Sequence, residues 1–548
     1  MSGRSDFLSS IEYCSILPGI GVARLGNSPE EFFIGPEVSG SPPIPEDNLF
    51  KDRQGRVKRQ AVRFHIYAYD SNDKILNELT SDDCSITWNV HLANRKGEAK
   101  KFVGKFNQTD NVPNRNSHVA NRNDLVIDPG LRSISGINQK GDNYKFDTGK
   151  FLGAKVPLGE IQTDEKGRLI VLGGFGKSDS VDINKFPIKQ FANNDGWFDD
   201  TSDGPVTASV TLNNNGKIIP VKETTWIIVA PPKFAPYHYP IVTLYDTMKE
   251  VAIEQKWIIK PKEVSFMRDI FPLFFRVVQY KWLNETAERG HGINAPGNIL
   301  TRFKELSTKS DNSAMLRKFI FQKVRNPNLI DDPTSEEALK QAEPFYMPVM
   351  SGDDGEWDNG KFRTFMTILP SQYDNLKRWS EGDFISDFDD SQINNQFQQR
   401  KLLEELPIEE QPNALDKSTL ELAIGGPFYP GIEITYIASD PSLYNGKPFR
   451  INPNLKPGDI TKYMAIPWQA DFLLCRETWW PTARPDDVVV PEGINDENVD
   501  KRKKWARGSD GNEFLQDYLQ MVNEWSTLGF IKPKKVGNET FFIESERS

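Results

Sequence analysis

The sequence predicts an α+β fold: a β-rich, sandwich-like N-terminal domain over residues 1–235, then a helix-rich, mixed C-terminal domain over residues 236–548. Three observations predict it. Short runs of β-branched and aromatic residues, bounded by Asn, Gly, Asp and Pro, dominate the chain up to Ala230. The segment PPKFAPYHYP (Pro231–Pro240) carries four prolines, so it can be neither a central strand nor a helix interior. Beyond it, apolar residues recur at helical spacing.

In chain order, the predicted strands are VRFHIYAY (Val62–Tyr69), SITWNVHL (Ser85–Leu92), RLIVLGG (Arg168–Gly174), VTASVTL (Val206–Leu212) and TWIIVA (Thr225–Ala230). Their number and their long polar connections suggest a sandwich. Helical periodicity then covers Ile241–Gln255, Met267–Asn284, Asn312–Val324, Glu336–Ala342 and Gln372–Ser380. A Gln-rich polar stretch, Asp389–Glu410, reads as a solvated helix. The chain turns mixed through GGPFYPGIEITYIA and KYMAIPWQADFLLC and closes on a helix over Asn512–Leu528. No internal repeat is present, and the second half reads as helices on a smaller sheet.

Composition narrows the function. Lys+Arg number 67 against 77 Asp+Glu, a net charge of −10, which disfavours nucleic acid and anionic membranes as partners. No apolar run reaches the roughly 20 residues of a bilayer span. MSGRSDFLSSIEY lacks the apolar stretch and cleavage site of a secretory signal, so a start near Met1 and a cytoplasmic location are the default expectations. Three cysteines, Cys14, Cys84 and Cys475, make no disulfide scaffold.

Familiar cofactor motifs fail. PGIGVARLG (Pro18–Gly26) has Arg24 where a dinucleotide fingerprint needs its third glycine. LGGFGKS (Leu172–Ser178) has Val171 where a phosphate loop needs its first. The five histidines are scattered, with no one-turn helical pair, so no metal site is expected. DGWFDDTSDGPV (Asp195–Val206) spaces Asp199, Thr201 and Asp203 like a calcium loop, but Val210 stands where the bidentate Glu belongs. A solvated turn network is the preferred reading of that loop.

One segment concentrates unusual chemistry: PWQADFLLCRETWWPTARPDD (Pro467–Asp487), with three of the 12 tryptophans and one cysteine. On a helix, Asp471 and Cys475 at i and i+4 share a face among Phe472, Leu473 and Leu474. A carboxylate so placed is expected to have a raised pKa, as a general base near neutral pH requires. Pro481 biases Trp480 towards an extended conformation, so any helix ends at or before Trp479. A buried aromatic hairpin with a structural cysteine would account for the same composition.

These residues, with ILPGIGVARLGNS, NDGWFDDTSDGPVTASV, WIIVAPPKFAP, GGPFYPGIEIT and PGDITKYMAIPWQADFLLC, resemble the L-lysine ε-oxidase and glycine oxidase family of quinoproteins. The matching segments keep their order from about Ile16 to Val488. The family's cofactor is cysteine tryptophylquinone (CTQ): a Cys sulfur bonded to a Trp indole oxidised to an ortho-quinone. The resemblance implies an amine oxidase needing no flavin or nicotinamide in this chain. The substrate amine condenses with a quinone carbonyl and a base takes the proton from the amine-bearing carbon. Hydrolysis frees an aldehyde or oxo acid, and O2 restores the quinone, yielding ammonia and hydrogen peroxide. It assigns Cys475 to the thioether, Asp471 to cofactor formation and proton abstraction, and Trp480, directly before Pro481, to the quinone. It also implies a flavoprotein modifying enzyme, a homo-oligomer, and export without a recognisable signal as an alternative to the cytoplasm.

The resemblance departs in one place. Family members carry a long insertion between the Cys and the Trp-Pro segment, whereas here only Arg476–Trp479 intervene. A helix persisting through Thr478 would favour Trp479 as the crosslink partner instead. The shorter lid leaves lysine or glycine specificity open and implies room for a larger amine or a peptidyl substrate. Trp197, Phe198 and the turn Gly425–Glu433, including Phe428 and Tyr429, are candidate lining residues. Lys462 and Arg484 are candidate carboxylate anchors. The competing reading is a member without the quinone, acting as a binding or structural protein with Cys475 a plain thiol.

Overall fold

The computed structural model describes residues 7–548 apart from 224, 293, 353, 355–357, 390–401, 427–433, 435, 475–477, 494–500, 509–516 and 538. A 12-stranded sheet frames the N-terminal part. Its main path runs Gly159–Thr163, Leu169–Gly173, Arg59–Tyr69, Ile20–Arg24, Thr225–Ala230, Ser202–Leu212, Cys84–Val90 and Arg132–Ser135. Each predicted strand lies within it. In Ser202–Leu212 the period-2 pattern buries Val206, Val210 and Leu212 and exposes Thr207 and Ser209. The central strand Thr225–Ala230 is buried at every position.

Topology places three connections at one end of this sheet. Thr225–Ala230 runs parallel to Ile20–Arg24, with Ala230 opposite Arg24. Ser202 begins its strand opposite Val229. The Pro-rich segment therefore leaves where the acidic Asp195–Val206 loop enters, and Trp468 and Ala483 are hydrogen-bonded there to Asp199 and Phe234.

In the C-terminal part the first described helix is Leu244–Glu254, where Thr243 and Asp246 form a capping box. The predicted Met267–Asn284 helix is divided into a π turn, Phe266–Ile270, the α-helix Phe271–Gln279 and a 3-10 turn, Tyr280–Trp282. Asp311–Phe321, Glu336–Gln341 and Pro370–Glu381 follow, the last ended by Gly382 at φ 87°. One apolar cluster runs continuously from Phe64 and Trp88 in the sheet to Trp468, Phe472, Trp480, Trp505 and Phe530.

Three expectations are corrected. The polar Asp389–Glu410 stretch is not a solvated helix in its described part: Leu403 is buried against Leu17, Tyr67 and Leu415 in a 3-10 turn, and an unpredicted helix, Gln411–Leu420, follows. Residues 390–401 lie outside the described residues. The last helix is shorter, Tyr518–Glu524 with a turn over Trp525–Thr527, and 509–516 are likewise outside. An unpredicted hairpin, Phe530–Val536 with Glu539–Ser545, closes the chain. Among the described residues no helix is long and apolar enough to cross a membrane.

Inside the sheet, fully buried His65 bridges Glu78 (Nδ1, 2.6 Å) and Glu37 (Nε2, 2.8 Å), which also accept from Arg168 and Arg63. Burial alone would lower the imidazole pKa, but the charges and hydrogen bonds of Glu37 and Glu78 raise it above its ordinary 6.5. Burial opposes the Glu78 shift too, yet His65 and Arg168 bring it down to about 2. The His65 contribution is thus full below pH 6.5 and fades as pH rises through the raised folded pKa. The Glu78 contribution is full above pH 4.5 and fades towards pH 2. Thermal melts across pH should show His65→Gln lowering stability by about 3–5 kcal/mol near pH 5–6 and flattening the alkaline limb. An unchanged pH profile would contradict this.

Candidate active site

The segment that follows Pro467 forms the helix Trp468–Leu474, seven residues of mostly good helix formers behind a proline suited to a helix start. Asp471 is fully buried on it, among Ala470, Phe472 and Leu473. Phe472 packs edge-to-face on Trp468 at 5.0 Å and on Phe234 at 6.2 Å. Cys475 lies outside the described residues, as do Arg476 and Glu477.

Thr478 is held from a distant part of the chain. The Ser351 amide donates to the Thr478 carbonyl at 2.9 Å, and their hydroxyls are 2.8 Å apart. Trp479 and Trp480 follow, non-helical, with ring centroids 5.6 Å apart and Trp480 only 1% exposed. Behind Pro481 the Trp480 carbonyl accepts from the amides of Ala483 and Arg484, closing a turn. The Pro-rich segment clasps that turn, Phe234 N–H donating to Ala483 and Ala235 N–H to Thr482. Arg484 Nε reaches back 2.7 Å to the Phe472 carbonyl, so the tryptophan turn is folded onto the Asp471 helix.

Apart from Arg484, the other predicted site residues that are described have partners elsewhere. The Trp197 indole donates to the Phe186 carbonyl and Phe198 packs on Phe151, both as core of the N-terminal part. Gly425 N–H binds the Val242 carbonyl, while Phe428, Tyr429 and Glu433 lie outside the described residues. Lys462 pairs with Asp459 at 3.1 Å. Arg484 is 2% exposed, with its guanidinium 5.4 Å from the Trp505 ring centre. The histidines stay apart: His91 meets Asp128, His118 stacks on Phe186, His238 lies edge-on to Phe542 and His291 meets the Gly297 carbonyl.

The acidic loop is the part that sequence reasoning misread. It is not a solvated turn network: Asp199, Asp200, Thr201, Ser202 and Asp203 are each at most 1% exposed. Asp199 accepts from Lys96 Nζ at 2.7 Å and from the Trp468 amide at 3.2 Å, placing negative charge at the start of the Asp471 helix. Asp203 accepts from the Trp226 indole and from the Thr461 amide and hydroxyl. Burial pushes the Asp203 carboxyl up to about 6 and Asp200 up to about 7. The cation that meets buried Asp199 is Lys96, in ANRKGE, the signal in the sequence that could have shown this loop to be buried.

Comparison with known proteins follows this geometry. Residues 17–229 match the family model described as L-Lysine epsilon oxidase N-terminal, and residues 348–499, which include Asp471, Cys475, Trp479 and Trp480, match the L-lysine epsilon oxidase C-terminal domain. L-lysine 6-oxidase of Marinomonas mediterranea is 26% identical over 684 positions, covering 97% of this chain and 89% of the relative. Against 548 residues here, that span leaves well over a hundred of the aligned positions without a counterpart in this chain. The crystal structure of L-Lys epsilon-oxidase from Marinomonas mediterranea shares the fold, with a TM-score of 0.74 at 24% identity, covering 97% of this chain and 94% of that one. The crystal structure of the Schiff base intermediate of that oxidase with L-Lys agrees equally, at 0.74 and 24%, covering 97% and 95%.

Proposed function

The chain belongs to the L-lysine epsilon oxidase family, and from that premise we propose that it oxidatively deaminates a primary amine or amino acid with a tryptophylquinone built from Cys475 and Trp480. One observation carries the reading: buried Asp471 lies on the helix Trp468–Leu474, four residues before Cys475 in the sequence, and the buried Trp480 turn is folded back onto that helix. The residues suit such a group, since a carboxylate, a thiol and a shielded indole are its raw materials. When formed, it supplies the electron sink that amine oxidation needs and that no unmodified side chain offers.

The chain's own residues do the rest. Asp471, fully buried on its helix, holds and moves the proton from the amine-bearing carbon. Arg484, through the Phe472 carbonyl, keeps the tryptophan turn in register with the helix. The aromatic wall of Trp468, Phe472 and Phe234 excludes bulk water. Overall, amine, O2 and water become aldehyde or oxo acid, ammonia and hydrogen peroxide. Maturation forms the sulfur–carbon bond with loss of the thiol hydrogen, a ring hydrogen and an electron pair, which a separate flavoprotein takes, and converts two further ring C–H groups to carbonyls with O2 as oxygen source and oxidant. A homo-oligomer, in the cytoplasm or exported without a recognisable signal, completes the reading.

Anaerobic addition of amines, L-lysine first, to protein purified from its own host tests this. A visible absorption band that bleaches with substrate is expected. Mature protein without a visible band would instead favour the reading suggested by the short Cys475-to-Trp480 interval, a binding protein with a free thiol.

A further inference from the structure

The segment leading into the Asp471 helix is held almost entirely by side chains of the N-terminal part. Lys96 Nζ donates both to Asp199 (2.7 Å) and to the Ala465 carbonyl (2.8 Å), and Lys96 and Asp199 are fully buried. Asp199 Oδ2 also accepts from the Trp468 amide, so one ion pair grips the chain on both sides of Pro467. The other Asp199 oxygen is held by the Thr201 hydroxyl and the Asn94 amide. Arg115, fully buried, donates to the carbonyls of Met464 (3.0 Å), Lys462 (3.3 Å) and Lys96 (3.3 Å). Asn194 donates to the Ile466 carbonyl, and Asp203 binds the Ile460 and Thr461 amides.

Burying three charged groups is costly, and hydrophobic residues of similar volume often stabilise as well or better. What the charges add is geometric: they fix the carbonyls of residues 462, 464 and 465 and one helix-start amide at set distances. We infer that Lys96, Asp199 and Arg115 are positioning residues that set where the helix Trp468–Leu474, which carries Asp471, is presented to Trp480, so that the N-terminal part controls the yield of the crosslink. This rests on the proposed quinone. Bond formation between a sulfur and a ring carbon tolerates little displacement, whereas folding tolerates more.

The experiment compares K96M/D199N, which removes both charges together, with E37Q/R63M, a partly buried ion pair whose other partners are His65 and Asp164. Both are made in the native host. Thermal midpoints report folding, and peptide mass mapping reports the fraction of Cys475 joined to tryptophan. K96M/D199N is expected to keep its fold but lose linked product at least about tenfold, while E37Q/R63M stays linked at a similar loss of midpoint. R115K keeps the charge but loses the fork to two carbonyls. It is expected to lose linked product several-fold, and it carries the test if the double variant does not fold. Wild-type linkage in R115K and in any folded K96M/D199N overturns the assignment. A wild-type chain that is itself unlinked overturns the quinone reading and this inference together, and the wild-type sample alone reveals that case.

Discussion

Asp471→Asn is expected to leave a folded protein that lacks most of its activity, with a loss of about 10²–10⁴-fold. The substitution preserves shape in a fully buried position and removes an ionisable group from it, so melting should change little. Mass mapping then separates the two roles given to the carboxylate. A chain with Cys475 unlinked assigns Asp471 to cofactor formation. A linked chain that bleaches slowly with amine assigns it to proton abstraction. Turnover within a few-fold of wild type would contradict both roles.

The second large effect distinguishes the neighbouring indoles. Trp480→Phe should abolish the visible band and all amine-dependent peroxide production, whereas Trp479→Phe should keep both, at a stability cost of about 1–3 kcal/mol for trimming a packed ring. The asymmetry follows from the chain path. Thr478 is anchored to Ser351, and neither it nor the two tryptophans is helical, so the helix persisting through Thr478 that would favour Trp479 is not met. The opposite pattern, band lost in Trp479→Phe and kept in Trp480→Phe, would move the crosslink to Trp479.

The strands were legible because their cause is local. VRFHIYAY and VTASVTL show in a few residues the alternation and β-branching that a half-buried pleated surface selects. That any helix here ends at or before Trp479 was legible from Pro481, and Trp479 and Trp480 are non-helical. The hairpin Phe530–Val536/Glu539–Ser545 was hidden by Pro533 and its run of lysines, which suit an edge strand and look like a loop. Helix Gln411–Leu420 merged with the polar stretch before it, because the apolar groups it packs against come from Leu17 and Tyr67. The acidic loop was misread most completely. Polar composition suggests solvent when read locally, and the partners that make Asp199 and Asp203 buried anchors, Lys96, Thr461 and Trp468, lie far away in sequence.

Peptide mass mapping of fully matured protein from its native host tests the central claim most directly. The account predicts that Cys475 and Trp480 appear in a single crosslinked species that has gained oxygen and lost hydrogen relative to the sequence. A Cys475 peptide that alkylates as a free thiol, beside an unmodified Trp480 peptide, would contradict it.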